Sequence, residues 1–230
     1  VSPDNAHLFV TSRGDNKLFI IETVTFTTIA TLIGFVSPWG VSVSPSGDTL
    51  YICNQGSSTL AVVDITTITA PSITTTVAVG TAPTNNVITP SGAQVYTADV
   101  GSGTSTAVNT GTLVPTSITV GSGPISLCVL PNGLFVYVAN STSSNVSVIN
   151  TGSNTVSATV GLTGGADGIA ATPDSLAVWC AESNPTFLIE VITVASNTVT
   201  HSISTGGTGY SNVVMTPASP ASTEQIVMIV

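Results

Sequence analysis

Short apolar runs, each rich in β-branched residues, follow one another along this chain with clusters of Gly, Pro, Asn or Ser between them. Strands joined by tight turns read this way. Between Gly121 and Gly161 there are four such runs, ISLCVL, LFVYVAN, NVSVINT and NTVSATV. Pro131-Asn132-Gly133 separates the first two, a turn in which Pro presets one φ and Gly accepts a positive one. Four antiparallel strands in about 40 residues predict one compact sheet.

The unit recurs. A proline opens the first turn of each copy, at Pro3, Pro45, Pro90, Pro131, Pro173 and Pro217, and successive prolines lie 41 to 45 residues apart. A period held over five intervals marks a repeat architecture. The predicted fold is an all-β, β-propeller of four-stranded antiparallel blades with a repeat of about 42 residues, five to six blades falling in this chain, within a ring that can be larger. Residues 1–230 form one propeller domain that starts and ends in mid-repeat. Val1-Ser2-Pro3 is the end of an inner strand, and the last copy contains only Tyr210–Thr216 and Glu224–Val230.

The ends leave a question of placement. If Tyr210–Thr216 joins the three strands of the first copy, a five-blade ring closes and Gln225–Val230 has no slot. An uncharged β-branched strand is an aggregation template and does not stay exposed. Two expectations follow: the chain belongs to a longer protein with more blades, or Ile226, Val227, Met228, Ile229 and Val230 dock on another copy. A donated strand is a head-to-tail contact, and its repetition gives a ring or a fibre. The first residue, Val1, fits either a processed product or part of a longer chain.

Charge narrows the function classes. Only 6% of the residues are charged, and Arg13 and Lys17 stand against eleven acids, for a net charge of −9. A phosphate backbone needs a basic footprint, so nucleic acid is not an expected partner, and anionic membrane surfaces are disfavoured. No apolar run approaches the roughly 18 residues of a membrane-spanning helix, so membrane insertion is not expected. Hydration falls instead to Ser and Thr, about 29% of the chain. Thr is a good strand former, which accounts for much of this. The sharper reading is that the hydroxyls carry covalent glycans or are covered in an assembly. In the outer strand of the second blade, alternation predicts Thr74 and Thr76 on one face and Thr75 on the other, making Thr74 and Thr76 candidate O-glycosylation positions. Asn140-Ser141-Thr142 and Asn145-Val146-Ser147 are sequons, which makes Asn140 and Asn145 candidate N-glycosylation sites.

Candidate chemistry is sparse. Cys53, Cys128 and Cys180 are predicted to be small buried hydrophobes, and no Cys/His spacing suggests a metal. His7 and His201 have no second ligand at a useful spacing. Asp4, Asp48 and Asp174 follow the anchor prolines as turn formers do, and Asp64 and Asn150 are placed to cap the turn after a third strand. Asp167, Glu182 and Glu190 break the repeat, and together would suit calcium. Arg13-Gly14-Asp15 falls in a hairpin loop, where the bland reading is a polar turn. No catalytic set, no metal and no cofactor is expected, and neither is an enzyme.

Tyr137-Val138-Ala139-Asn140, followed by SNVSVINTGSNTVSATVGL, resembles the YVTN β-propeller repeat of microbial cell-surface and surface-layer proteins. Looser copies are FVTS at Phe9–Ser12, YICN at Tyr51–Asn54, YTAD at Tyr96–Asp99 and WCAE at Trp179–Glu182. The resemblance covers essentially the whole chain. It implies a structural extracellular protein, a subunit of a cell-surface layer or filament built from copies of itself. The alternative is a binding module of a larger surface protein that recognises a protein or glycan.

Overall fold

Each apolar run becomes a strand, and each proline-led cluster a turn. The computed structural model describes residues 1–182, 188–204, 212–215 and 226–229. The chain divides into two compact units, Val1–Ser102 with Thr106–Ser117, and Gly103–Ser105 with Ile118–Val230.

The first unit opens with a three-stranded sheet, β1 (His7–Ser12), β2 (Lys17–Glu22) and β3 (Thr28–Ile33). A four-stranded sheet follows, β4 (Pro38–Val43), β5 (Thr49–Asn54), β6 (Thr59–Asp64) and β7 (Ser72–Ala78). The next has the order β8 (Pro83–Ile88), β9 (Gln94–Asp99), β10 (Thr104–Asn109), β11 (Pro115–Thr119). The second unit holds β12 (Pro124–Val129), β13 (Phe135–Asn140), β14 (Asn145–Asn150) and β15 (Thr155–Gly161) as one sheet. Another comprises β16 (Ala166–Ala171), β17 (Ala177–Glu182), β18 (Leu188–Thr193) and β19 (Thr198–Ser204). Every strand in these sheets neighbours the next in sequence, so each sheet is a meander. Among the described residues the one helical turn is Gln55–Ser57, and no helix is long and apolar enough to cross a membrane.

The last two strands correct an expectation. β20 (Asn212–Met215) and β21 (Ile226–Ile229) pair antiparallel with each other, Asn212 opposite Ile229 and Met215 opposite Ile226, in a sheet of their own. β20 does not complete the first sheet, and Ile226–Ile229 is not left without a place. Val230 lies outside the described residues.

Two local devices build the sheets. At the first turn, the hydroxyl before the anchor proline accepts an amide from the strand that follows: Ser44 Oγ accepts from the Thr49 N–H at 3.0 Å and Thr172 Oγ1 from the Ala177 N–H at 3.0 Å. Asp174 Oδ1 takes the Leu176 N–H at 2.9 Å, and after the third strands Asp64 and Asn150 cap the Thr66 and Gly152 amides, as turn-forming residues should. At the outer strand, a β-bulge inserts one residue, Thr74, Ser157 or Thr200. The bulge frees a carbonyl, and the extra residue's own hydroxyl donates to it: Thr74 to Val62 O at 3.1 Å, Ser157 to Val148 O at 3.1 Å, Thr200 to Val191 O at 3.3 Å.

Within each unit the sheets stack face to face. Phe9, Leu18 and Ile20 of the first sheet meet Leu50, Ile52, Ala61 and Val63 of the second. Tyr51, Cys53, Leu60 and Val62 continue the stack onto Val95 and Val108. In the second unit Tyr137, Ala139, Val146 and Val148 pack on Ile169, Val178, Cys180 and Ile192. At roughly 25 cal/mol per Å² of apolar surface removed from water, these layers are the main stabilising term.

Candidate functional site

The outer edges are where the chain meets its surroundings. β3, β7, β11, β15 and β19 are the edge strands of their sheets, and none carries Asp, Glu, Lys or Arg. Thr74, Thr75 and Thr76 are all exposed, as are Thr116, Ser117 and Thr119, and Thr155, Ser157 and Thr159. The bulge takes Thr74 out of the alternation, whereas Thr75 and Thr76, opposite Val62 and Ala61, still alternate. Open edges are usually blunted by charge; here bulges take over that task.

The sequons behave differently. Asn140 is fully buried, and its Nδ2 donates to Asn145 Oδ1 at 2.8 Å and Ser147 Oγ at 3.0 Å. The nitrogen that a glycan would occupy is spent inside the fold, so Asn140 is not an acceptor in the folded chain. Asn145 is half-buried and receives that bond.

Asn140 belongs to a clamp that holds the loop entering its sheet. Gly121 N–H donates to Ser147 Oγ at 3.3 Å, and a Cβ at Gly121 would lie 2.6 Å from Asn145 Oδ1 and 2.7 Å from the Asn140 side chain. In the sheet β8–β11 the same places hold Asp99 and Thr106: Thr106 Oγ1 accepts from Gly80 N–H at 3.1 Å and donates to Asp99 at 2.7 Å. In the sheet β16–β19 they hold Glu182 and Glu190, both buried. Glu182 Oε1 accepts the Gly164 N–H at 2.9 Å, and Glu190 accepts the Thr163 N–H at 3.2 Å, the Thr163 hydroxyl at 2.7 Å and the Ser202 hydroxyl at 3.1 Å. Two acids that break the sequence repeat are therefore its clamp in ionisable form, and their register with Asn140 and Ser147 is the signal that identifies them. Asp167 lies apart from that role, as the bulge residue of β16. Among the described residues no group of three or more His, Cys, Asp or Glu could hold a metal ion.

The three cysteines are buried and unbridged. Burial pushes the Cys53 thiol up to about 12 and raises Cys128 and Cys180 as well, so none is a ready nucleophile. In the Arg13-Gly14-Asp15 loop, the Arg13 guanidinium lies 4.7 Å over the Trp39 ring, and Asp15 accepts the Ser12 hydroxyl at 2.8 Å.

One concavity stands out that the sequence did not suggest. Trp179 of β17 sits opposite Val191 of β18, and above them a cavity of about 390 Å³ is lined by Leu176, His201, Ile203 and Asp174 among others. Ile203 is 40% exposed and Leu176 66%. The volume suits a small ligand or a protruding side-chain cluster.

No protein-family model matches this chain, and no curated protein sequence matches it. Solved structures do. Hydrazine synthase of Kuenenia stuttgartiensis is similar at 26% identity with a TM-score of 0.72, over 78% of this chain and 52% of that one. A functionally unknown protein from Desulfotomaculum acetoxidans is similar at 18% identity with a TM-score of 0.73, over 89% of this chain and 70% of that one. The chain spans about half the length of the first. With the meandering sheets, these likenesses make the fold β-propeller-like.

Proposed function

We propose that this chain is a structural extracellular protein of the YVTN-repeat kind, a subunit of a cell-surface layer or filament assembled from copies of itself. The observation that carries the reading is the set of outer edges: uncharged, hydroxyl-lined and exposed in sheet after sheet. Such edges offer little charge to repel a neighbour and many hydroxyls to hydrogen-bond with one, or to carry O-linked sugars at places such as Thr76. No catalysis is proposed. The activity named for the Kuenenia protein belongs to that protein, and this chain has one Arg, one Lys and two His from which to build a charged site.

The cavity beside Trp179 favours a second reading, a module that binds a protein or glycan. Negative-stain electron microscopy of the purified chain separates the two. Regular fibres or sheets are the expected result, whereas isolated particles at every concentration would favour the binding module.

A further inference from the structure

The stacking rule within the chain says what covers each kind of face. In every sheet the second strand presents two faces. One carries Phe9, Tyr51, Tyr137 or Trp179; the other carries the flanking aliphatic pair, Leu8 with Val10, Leu50 with Ile52, Val136 with Val138, Val178 with Cys180. The aromatic side of one sheet is covered by the aliphatic side of the next: Phe9 by Leu50 and Ile52, and Tyr137 by Val178 and Cys180.

Among the described residues, two faces stand open, one of each kind. On the first sheet Leu8 pairs across to Ile21 and Val10 to Phe19, yet Leu8 is 38% and Val10 37% exposed, where Leu50 and Ile52 at the same places are fully buried. On the sheet β16–β19, β20 lies against β16 and β17, and the outer part of the aromatic face, Trp179, Val191, His201 and Ile203, borders the cavity. The aliphatic face carries one charge, Lys17, and the cavity lining carries one of opposite sign, Asp174.

We infer that these two faces are the joint between copies: Leu8, Val10, Phe19 and Ile21 of one chain seat on Trp179, Val191 and Ile203 of the next. The inference rests on the assembly reading above and names its contact. The occupant of the cavity is a second copy of this chain, presenting the same kind of face that covers Tyr137 within a chain. Because the two faces differ, the contact is heterologous, and its repetition gives a ring or a fibre.

The test uses two variants of the full chain, Val10→Asp and Ile203→Asp, each a charge placed on a partly exposed position of one face. A charge buried in an apolar joint weakens association by about 100-fold or more. Sedimentation velocity should find large, concentration-dependent species for the wild type and single copies for each variant. An equimolar mixture should give dimers and nothing larger, because each variant keeps the face the other lacks. Either variant assembling like the wild type, or a mixture that stays single, overturns the joint while leaving the assembly reading in place. A wild type that is single at all concentrations overturns both. If either variant melts well below the wild type, Leu8→Thr and Leu176→Ser replace them, with weaker association at each face as the expected result and unchanged association overturning the joint.

Discussion

Tyr137 and Trp179 hold the same place in successive sheets, and their surroundings differ. Tyr137 is fully buried, pressed on Val178 and Cys180, and its hydroxyl donates to Asn197 Oδ1 at 2.7 Å from the turn before β19. Trp179 is half-buried at the edge of a cavity, although it too sits over a valine on the neighbouring strand. A repeat unit cannot bury both of its faces; each depends on the next unit for half of its core. Trp179 shows what that half looks like while it is open.

The largest expected effect separates the two directly. Tyr137→Ala should cost about 3–5 kcal/mol in denaturant unfolding, the usual range for a buried aromatic. Trp179→Ala should cost less than half as much at concentrations where the chain is a single copy. Equal losses would mean that Trp179 is already sealed. Next in size is the loop that leads into Tyr137's sheet. Gly121→Ala drives a Cβ into Asn145 and Asn140 and should cost about 1–3 kcal/mol, whereas a Cβ at Gly161 meets nothing within 4 Å and should change stability little. Tyr137→Phe keeps the packing and removes the bond to Asn197, for about 1 kcal/mol.

The smallest effect is in the first turns that carry an Asp. The hydroxyls of Ser2, Ser46 and Thr172 hold the Asp4, Asp48 and Asp174 carboxyls, respectively, below the usual carboxylate value. A depressed folded pKa adds stability that is complete above the unfolded value and is lost as pH falls through the folded one. The melting temperature should therefore hold from pH 7 to 5 and fall below about pH 4. Asp48→Asn should blunt that fall slightly, and a melting temperature that rises on acidification would contradict the assignment.

The strands and turns were legible because each obeys local chemistry: apolar runs, proline-led turns, and Asp or Asn at the capping positions. The run Thr104–Asn109, which follows Gly101 and Gly103, forms β10 in the same way. Legibility ended where the answer depends on contacts distant in sequence. The sequon at Asn140 looks like any other, and only the clamp shows its nitrogen spent on Asn145 and Ser147. The bulge at Thr74 is one extra residue in a run of threonines, invisible to alternation. Glu182 and Glu190 looked like candidate ligands because their donors, Gly164 and Thr163, lie in a loop 18 to 27 residues away. Trp179's cavity was hidden for a related reason: every unit reads alike, and whether its face is covered is not a property of the unit.

The central claim, that a second copy covers Trp179, is most directly tested by the fluorescence of Trp179 itself. Trp39→Phe removes the chain's other tryptophan, which is 42% exposed and stacked under Arg13, so the remaining emission reports on one site. As concentration rises and assemblies form, the emission should move to shorter wavelength and become protected from iodide quenching. The same variant carrying Val10→Asp should show neither change. Emission and quenching that stay constant while fibres or sheets appear would contradict the account.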